Sequence, residues 1–196
     1  MRDAPMNLTR RQALTGAALS FGAVWATLSV PAGAAAQATA TVPLSWQPRA
    51  LTPQQARALD AMAELIVPAT DTPGARAAGV PQFVDRAVAD YYEPPEAALI
   101  RAGLDRLDAD AEADQGVAFA ALGAERQKAL LGAYEAEAGR QPRGAAHFFP
   151  LLKELVTVGY FTSEPGATQA LRYDPMPGHY LGCVPLSDIG RAWATA

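Results

Sequence analysis

Few residues in this 196-residue sequence have the type and spacing to do chemistry. His147 and His179 are the two histidines, and their separation rules out the i, i+4 pair that grips a metal from one helix face. They read as surface or interface residues. Cys183 is single, so it forms no internal disulfide and cannot supply the roughly four thiolates of an iron–sulfur cluster. Asp108, Asp110 and Glu112 are spaced like the first three ligands of a calcium loop. Ala113 stands where that loop needs Gly for its sharp turn, and Phe119 where it needs a bidentate Glu. The cluster therefore reads as a solvated acidic face and helix end. No G-x-G-x-x-G, phosphate loop, C-x-x-C-H or G-x-S-x-G occurs. The motifs predict a chain that holds no cofactor, metal or catalytic group of its own.

The N-terminus carries a different kind of signal. In "MNLTRRQALTGAALSFGAVWA", Arg10 and Arg11 follow Thr9 and precede an uncharged Ala- and Gly-rich stretch. This has the form of a twin-arginine export signal, an address read by a translocase that moves folded proteins, and it predicts a periplasmic location. Ala13 stands where such signals usually carry Phe or Leu. The stretch is only mildly apolar, unlike a stop-transfer helix. Ala36-Gln37-Ala38 is a small-x-small site, so cleavage after Ala38 leaves residues 39–196 as one helical domain. Retention as an uncleaved N-terminal anchor is the alternative. The formal net charge is −4, and a leader holding three Arg and one Asp leaves the remainder more acidic still. That surface argues against a nucleic-acid or anionic-lipid partner, since phosphate binding needs a basic face.

The elements that follow are helical. Thr52, Pro53 and Gln55 form an N-cap, first-turn proline and capping box; Ala56, Leu59, Met62 or Ala63, and Ile66 then recur until Pro68. A second helix carries the stripe Phe83, Val84, Ala87, Val88 and Tyr91, stopped by Pro94-Pro95. A third starts near Glu96 with Leu99, Ile100, Leu104 and Leu107. A fourth runs from Ala124 through Leu130, Leu131 and Tyr134 to Gly139. The fifth, "AAHFFPLLKELVTVGYFTS", is the most apolar and is expected to be the central core helix, with Pro150 in its first turn or at a kink. No run alternates long enough for a sheet, so the class is all-α: about five helices and an irregular Pro/Gly-rich C-terminal segment.

That segment, from Glu164 on, keeps apolar and aromatic residues that a disordered tail rarely keeps. It needs a surface to lie on, its own helices or another protein. Tyr160, Phe161, Arg172, Tyr173, His179, Tyr180 and Cys183 are the candidate partner-interface residues, because Tyr and Arg are common interface anchors. Arg172 has the local alternative of pairing with Asp174 or Glu164. Cys183 is either a buried inert thiol or an intermolecular disulfide partner. Asp71, in "PATDTPGA", reads equally as part of a functional loop or as a local turn or cap.

The segments "LIVPATDTPGARAAGVPQFVD" (65–85) and "FFPLLKELVTVGYFTSEPGATQALRYDPMPGHYLGCVP" (148–185), with the leader, resemble the gluconate 2-dehydrogenase subunit 3 family. The resemblance spans essentially all of residues 39–196, and Pro68–Ala75 and Gly159–Thr168 are its most specific parts. It implies a small, non-catalytic subunit of a periplasmic dehydrogenase for sugars, sugar acids or alcohols. The large subunit implied is of the glucose-methanol-choline type and binds FAD; a multihaem cytochrome c often accompanies it and links it to the membrane. The small subunit would escort the large one through export and stabilise it. A stand-alone periplasmic ligand-binding or structural protein is the alternative.

Overall fold

The computed structural model describes residues 43–142, 144–176, 178 and 183–194. The arginine pair and the cleavage site after Ala38 lie outside the described residues.

Helix α1 (Pro53–Ile66) opens as its sequence dictates: the Thr52 hydroxyl accepts from Gln55 N at 3.2 Å, and Gln55 Oε1 accepts from Thr52 N at 2.9 Å. Such a cap is worth about 1 kcal/mol. Helix α2 (Val80–Asp90) follows Gly79, whose φ of 74° suits a residue without Cβ. Helix α3 (Pro94–Gln115) corrects the expected boundary. Pro94 and Pro95 do not merely stop α2; they form the first turn of α3, where an N–H would have no intrahelical acceptor to lose. A 3-10 turn (Phe119–Ala121) precedes α4 (Ala124–Arg140) and α5 (Phe148–Phe161), with Pro150 in the first turn of α5. A π turn (Gly166–Ala170) and the short α6 (Leu186–Ile189) complete the set.

The class is all-α: among the described residues there is no strand, and the one parallel bridge joins Arg172 to Trp193. Helix α5 touches α1, α2, α3 and α4, as its composition leads one to expect, but α1 does the same, so the bundle has two central helices. Leu59, Met62, Val84, Ile100, Leu104, Leu107, Phe119, Leu152 and Val156 are wholly buried between them. Two glycines set the spacing. A Cβ on Gly103 would lie 2.1 Å from Phe148 Cγ, and one on Gly159 would lie 2.6 Å from Phe83 Cδ1. Among the described residues no helix is long and apolar enough to cross a membrane.

The extended lead-in is fastened by a buried carboxylate. Asp85, on α2 and 2% exposed, accepts from Arg49 N at 2.7 Å, Ala50 N at 3.1 Å and Leu51 N at 3.0 Å. Arg49 then reaches Asp90 at 2.9 Å, and Arg101 Nε donates to the Ala50 carbonyl at 3.1 Å.

Candidate functional site

The Pro68–Ala75 and Gly159–Thr168 segments pack against each other, and Tyr160 joins them. Its ring is 2% exposed; its hydroxyl donates to the Pro73 carbonyl at 2.9 Å and lies 3.0 Å from Thr72 Oγ1. Tyr160 is therefore not the surface anchor its residue type suggests, because the chain's own loop consumes its polar tip. Glu64, at the end of α1, accepts from Ala69 N at 3.2 Å and Arg76 N at 3.0 Å. A Cβ on Gly74 would lie 2.6 Å from the Ala69 backbone nitrogen as well as 2.4 Å from that carboxylate, so the close approach of the loop to itself requires glycine. On the other side Ser163 Oγ donates to the Tyr160 carbonyl at 2.6 Å and accepts from Gly166 N at 3.2 Å. Asp71 lies in a local turn: Thr70 Oγ1 donates to it at 2.9 Å, and this bond, then its own backbone amide, hold its carboxyl below the ordinary range.

The acidic cluster is structural in a way the sequence reading missed. Asp108 is 4% exposed and accepts from Phe119 N at 2.9 Å, so it is not part of a solvated face. Burial pushes its carboxyl above the usual range, against the pull of the Phe119 amide. Asp110 accepts from the Tyr134 hydroxyl at 2.5 Å. Burial first, and that bond second, raise the Tyr134 phenol well above its ordinary value. Arg106 lies over the Tyr134 ring and grips Glu137 through two bonds of 2.9 Å, which hold the Glu137 carboxyl low. His147 is no surface residue either. It caps α5, with Nδ1 accepting from Phe149 N at 3.2 Å and the ring stacked on Phe148, and its Nε2 faces Glu137 at 3.6 Å. Among the described residues no group of three or more His, Cys, Asp or Glu stands close enough to hold a metal ion.

Among the described residues two surfaces expose large apolar side chains. One is the C-terminal segment, which folds back on itself. Arg172 N donates to Ala192 O at 2.8 Å and Ala194 N to Arg172 O at 2.9 Å, while the Arg172 guanidinium stacks 4.4 Å from the Trp193 ring centroid. Its Nη1 also reaches the Asp188 and Ile189 carbonyls at 3.2 and 3.4 Å, and Arg191 donates to the Gln169 carbonyl. Arg172 thus closes this segment instead of pairing with Asp174 or Glu164. Phe161, Tyr173, Met176, Val184 and Trp193 are exposed, and Cys183 is an exposed free thiol rather than a buried one. His179 and Tyr180 lie outside the described residues.

The second surface is a groove of about 610 Å³ between α2 and α5, floored by Phe83, Ala87, Leu155 and Val158 and rimmed by Arg86, Tyr91 and Glu154. The stripe read on α2 divides here. Val84 and Val88 enter the core, whereas Phe83 and Ala87 face the groove and Tyr91 is 81% exposed. Tyr91, the last member of the stripe, falls just beyond the helix, which ends at Asp90, and Tyr92 turns inward in its place. Burial and the nearby Glu154 raise the Tyr92 phenol.

A family model described as Gluconate 2-dehydrogenase subunit 3 matches residues 53–178. The chain belongs to that family. No curated protein and no solved structure matches it. The matched region runs from the first residue of α1 through the π turn, and so contains the Tyr160 junction and every residue lining the groove. It stops short of Cys183 and Trp193. The sequence showed the apolar stripe on α2 but not which part of it the chain's own helices leave uncovered.

Proposed function

We propose that this chain is the non-catalytic small subunit of an exported flavin-dependent dehydrogenase acting on a sugar, sugar acid or alcohol. It escorts an FAD-binding large subunit of the glucose-methanol-choline type through the twin-arginine pathway and stabilises it in the periplasm. A cytochrome c completes the complex where electrons pass to the membrane, and membrane association comes through the complex.

The observation that carries this reading is the match of residues 53–178 to a family described as a dehydrogenase subunit, in a chain that also bears Arg10-Arg11. One address then serves two proteins. The closed C-terminal segment supports it: Tyr173 and Cys183 are presented outward from a loop fastened at Arg172 and Trp193, beside the exposed Phe161 at the end of α5. In this reading Cys183 pairs with a cysteine of the large subunit once the assembled complex reaches an oxidising compartment.

Arg10→Lys combined with Arg11→Lys tests the escort. Both this chain and the flavoprotein are expected to remain in the cytoplasm, followed by fractionation and flavin fluorescence. A flavoprotein that still reaches the periplasm overturns the escort role.

A further inference from the structure

We propose that the groove between α2 and α5 seats an amphipathic segment of the flavin-binding subunit, with an apolar anchor on Phe83, Leu155 and Val158, a carboxylate against Arg86 and a cation against Glu154. This rests on the subunit reading above and adds to it a surface separate from the C-terminal segment.

The groove is built, and its exposure is not fraying. Tyr91 N still donates to Ala87 O at 2.9 Å, yet the Tyr91 side chain is 81% exposed, and Val158 on the facing helix is 48% exposed. Exposed apolar floors with Tyr at the rim are what an interface core looks like before its partner arrives. A volume of about 610 Å³ accommodates a few large side chains, and two flanking helices offer a helix-in-groove seat.

The charges choose the occupant. Asp90 at the rim is already matched by Arg49 at 2.9 Å. Arg86 on α2 and Glu154 on α5 have no ion-pair partner among the described residues. An apolar strip bounded by one cation and one anion on opposite walls favours a segment of complementary sign order, which sets its orientation. Phe161, one turn beyond Val158 on α5 and 39% exposed, extends the strip toward the C-terminal segment. Every lining residue falls within residues 53–178, so the groove belongs to the part of the chain shared with a family named as a subunit.

The test is co-purification from whole cells through a tag on this chain, with the flavin-to-chain ratio read by absorbance and melting curves taken as a folding check. Wild type should carry about one flavin per chain. Val158→Asp and Tyr91→Ala should each weaken the complex by about 30-fold or more, as loss of a central anchor does, with unchanged melting. Arg86→Glu should weaken it about tenfold at low salt and less at high salt. Full flavin in Val158→Asp and Tyr91→Ala overturns the groove and leaves the subunit reading intact. Wild type without flavoprotein overturns both. A dimer of the chain alone that Val158→Asp dissolves overturns the proposal by showing a second copy in the groove.

Discussion

Asp85→Ala should destabilise the domain by about 3 kcal/mol. The side chain accepts three consecutive backbone amides, from Arg49, Ala50 and Leu51, between 2.7 and 3.1 Å, and is 2% exposed. Two routes bound the loss. If the lead-in stays in place, at least the buried Leu51 amide is left without an acceptor, which costs about 1–3 kcal/mol, and the other two bonds, made to a charged group, are lost as well. If it peels away, Leu51, now 6% exposed, enters water at about 1.5–3 kcal/mol, and the Arg101 bond to Ala50 goes with it. Freed backbone returns about 1–2 kcal/mol of entropy per residue, which keeps the total from growing further. At about 2–4 °C per kcal/mol for a chain of this size, the midpoint should fall by about 6–12 °C. Urea unfolding followed by circular dichroism gives the free energy, and hydrogen exchange of amides 49–51 tells the two routes apart. Asp85→Asn should lose less, because its Oδ1 can still accept from Ala50 N and Leu51 N while its NH2 faces only the Arg49 amide. A loss under about 1 kcal/mol, with those three amides still protected, would refute the idea that this carboxylate holds the lead-in.

Gly103→Ala sets two effects against each other: helix propensity predicts a gain of about 1 kcal/mol, but a Cβ 2.1 Å from Phe148 Cγ predicts a net loss of about 1–3 kcal/mol, and urea unfolding gives the sign. Burial raises the Asp108 carboxyl, so its ionisation costs stability as pH rises through the raised value. Asp108→Asn, which keeps an acceptor for Phe119 N, should therefore gain on wild type across that window and hold the gain at neutral pH; melting curves from pH 3 upward check it. Non-reducing electrophoresis of the native complex should show a band at the summed mass that collapses with thiol and is absent in Cys183→Ser. Separate subunits with Cys183 alkylated in the unreduced complex would sink the disulfide and leave the escort role standing.

Local signals were legible in the sequence and distant ones were not. Thr52 and Gln55 announce the start of α1 because both halves of the cap lie within four residues, and the structure forms both bonds. Pro94-Pro95 carried two meanings, helix stop and helix start, and spacing alone favoured the wrong emphasis. The α2 stripe correctly marked an apolar face, but periodicity does not say whether the neighbour covering it is in the same chain; Tyr91 shows that part of it is not covered. Tyr160 was read by residue type as an anchor for a partner, and burial against Pro73 overrides type. Asp85 left no signal at all, since its ligands lie 34 to 36 residues away and backbone amides have no sequence signature.

The Tyr160 junction also bears on how the fold tolerates change. Two stretches far apart in the sequence meet at one phenol, with Thr72 and Pro73 on one side and Ser163 and Gly166 on the other. A substitution at that tyrosine is therefore felt in both stretches at once, although its hydroxyl partners lie 87 and 88 positions away along the chain. Outward residues such as Arg86, Tyr91 and Glu154 take no part in that joint, so exchanging them leaves it closed.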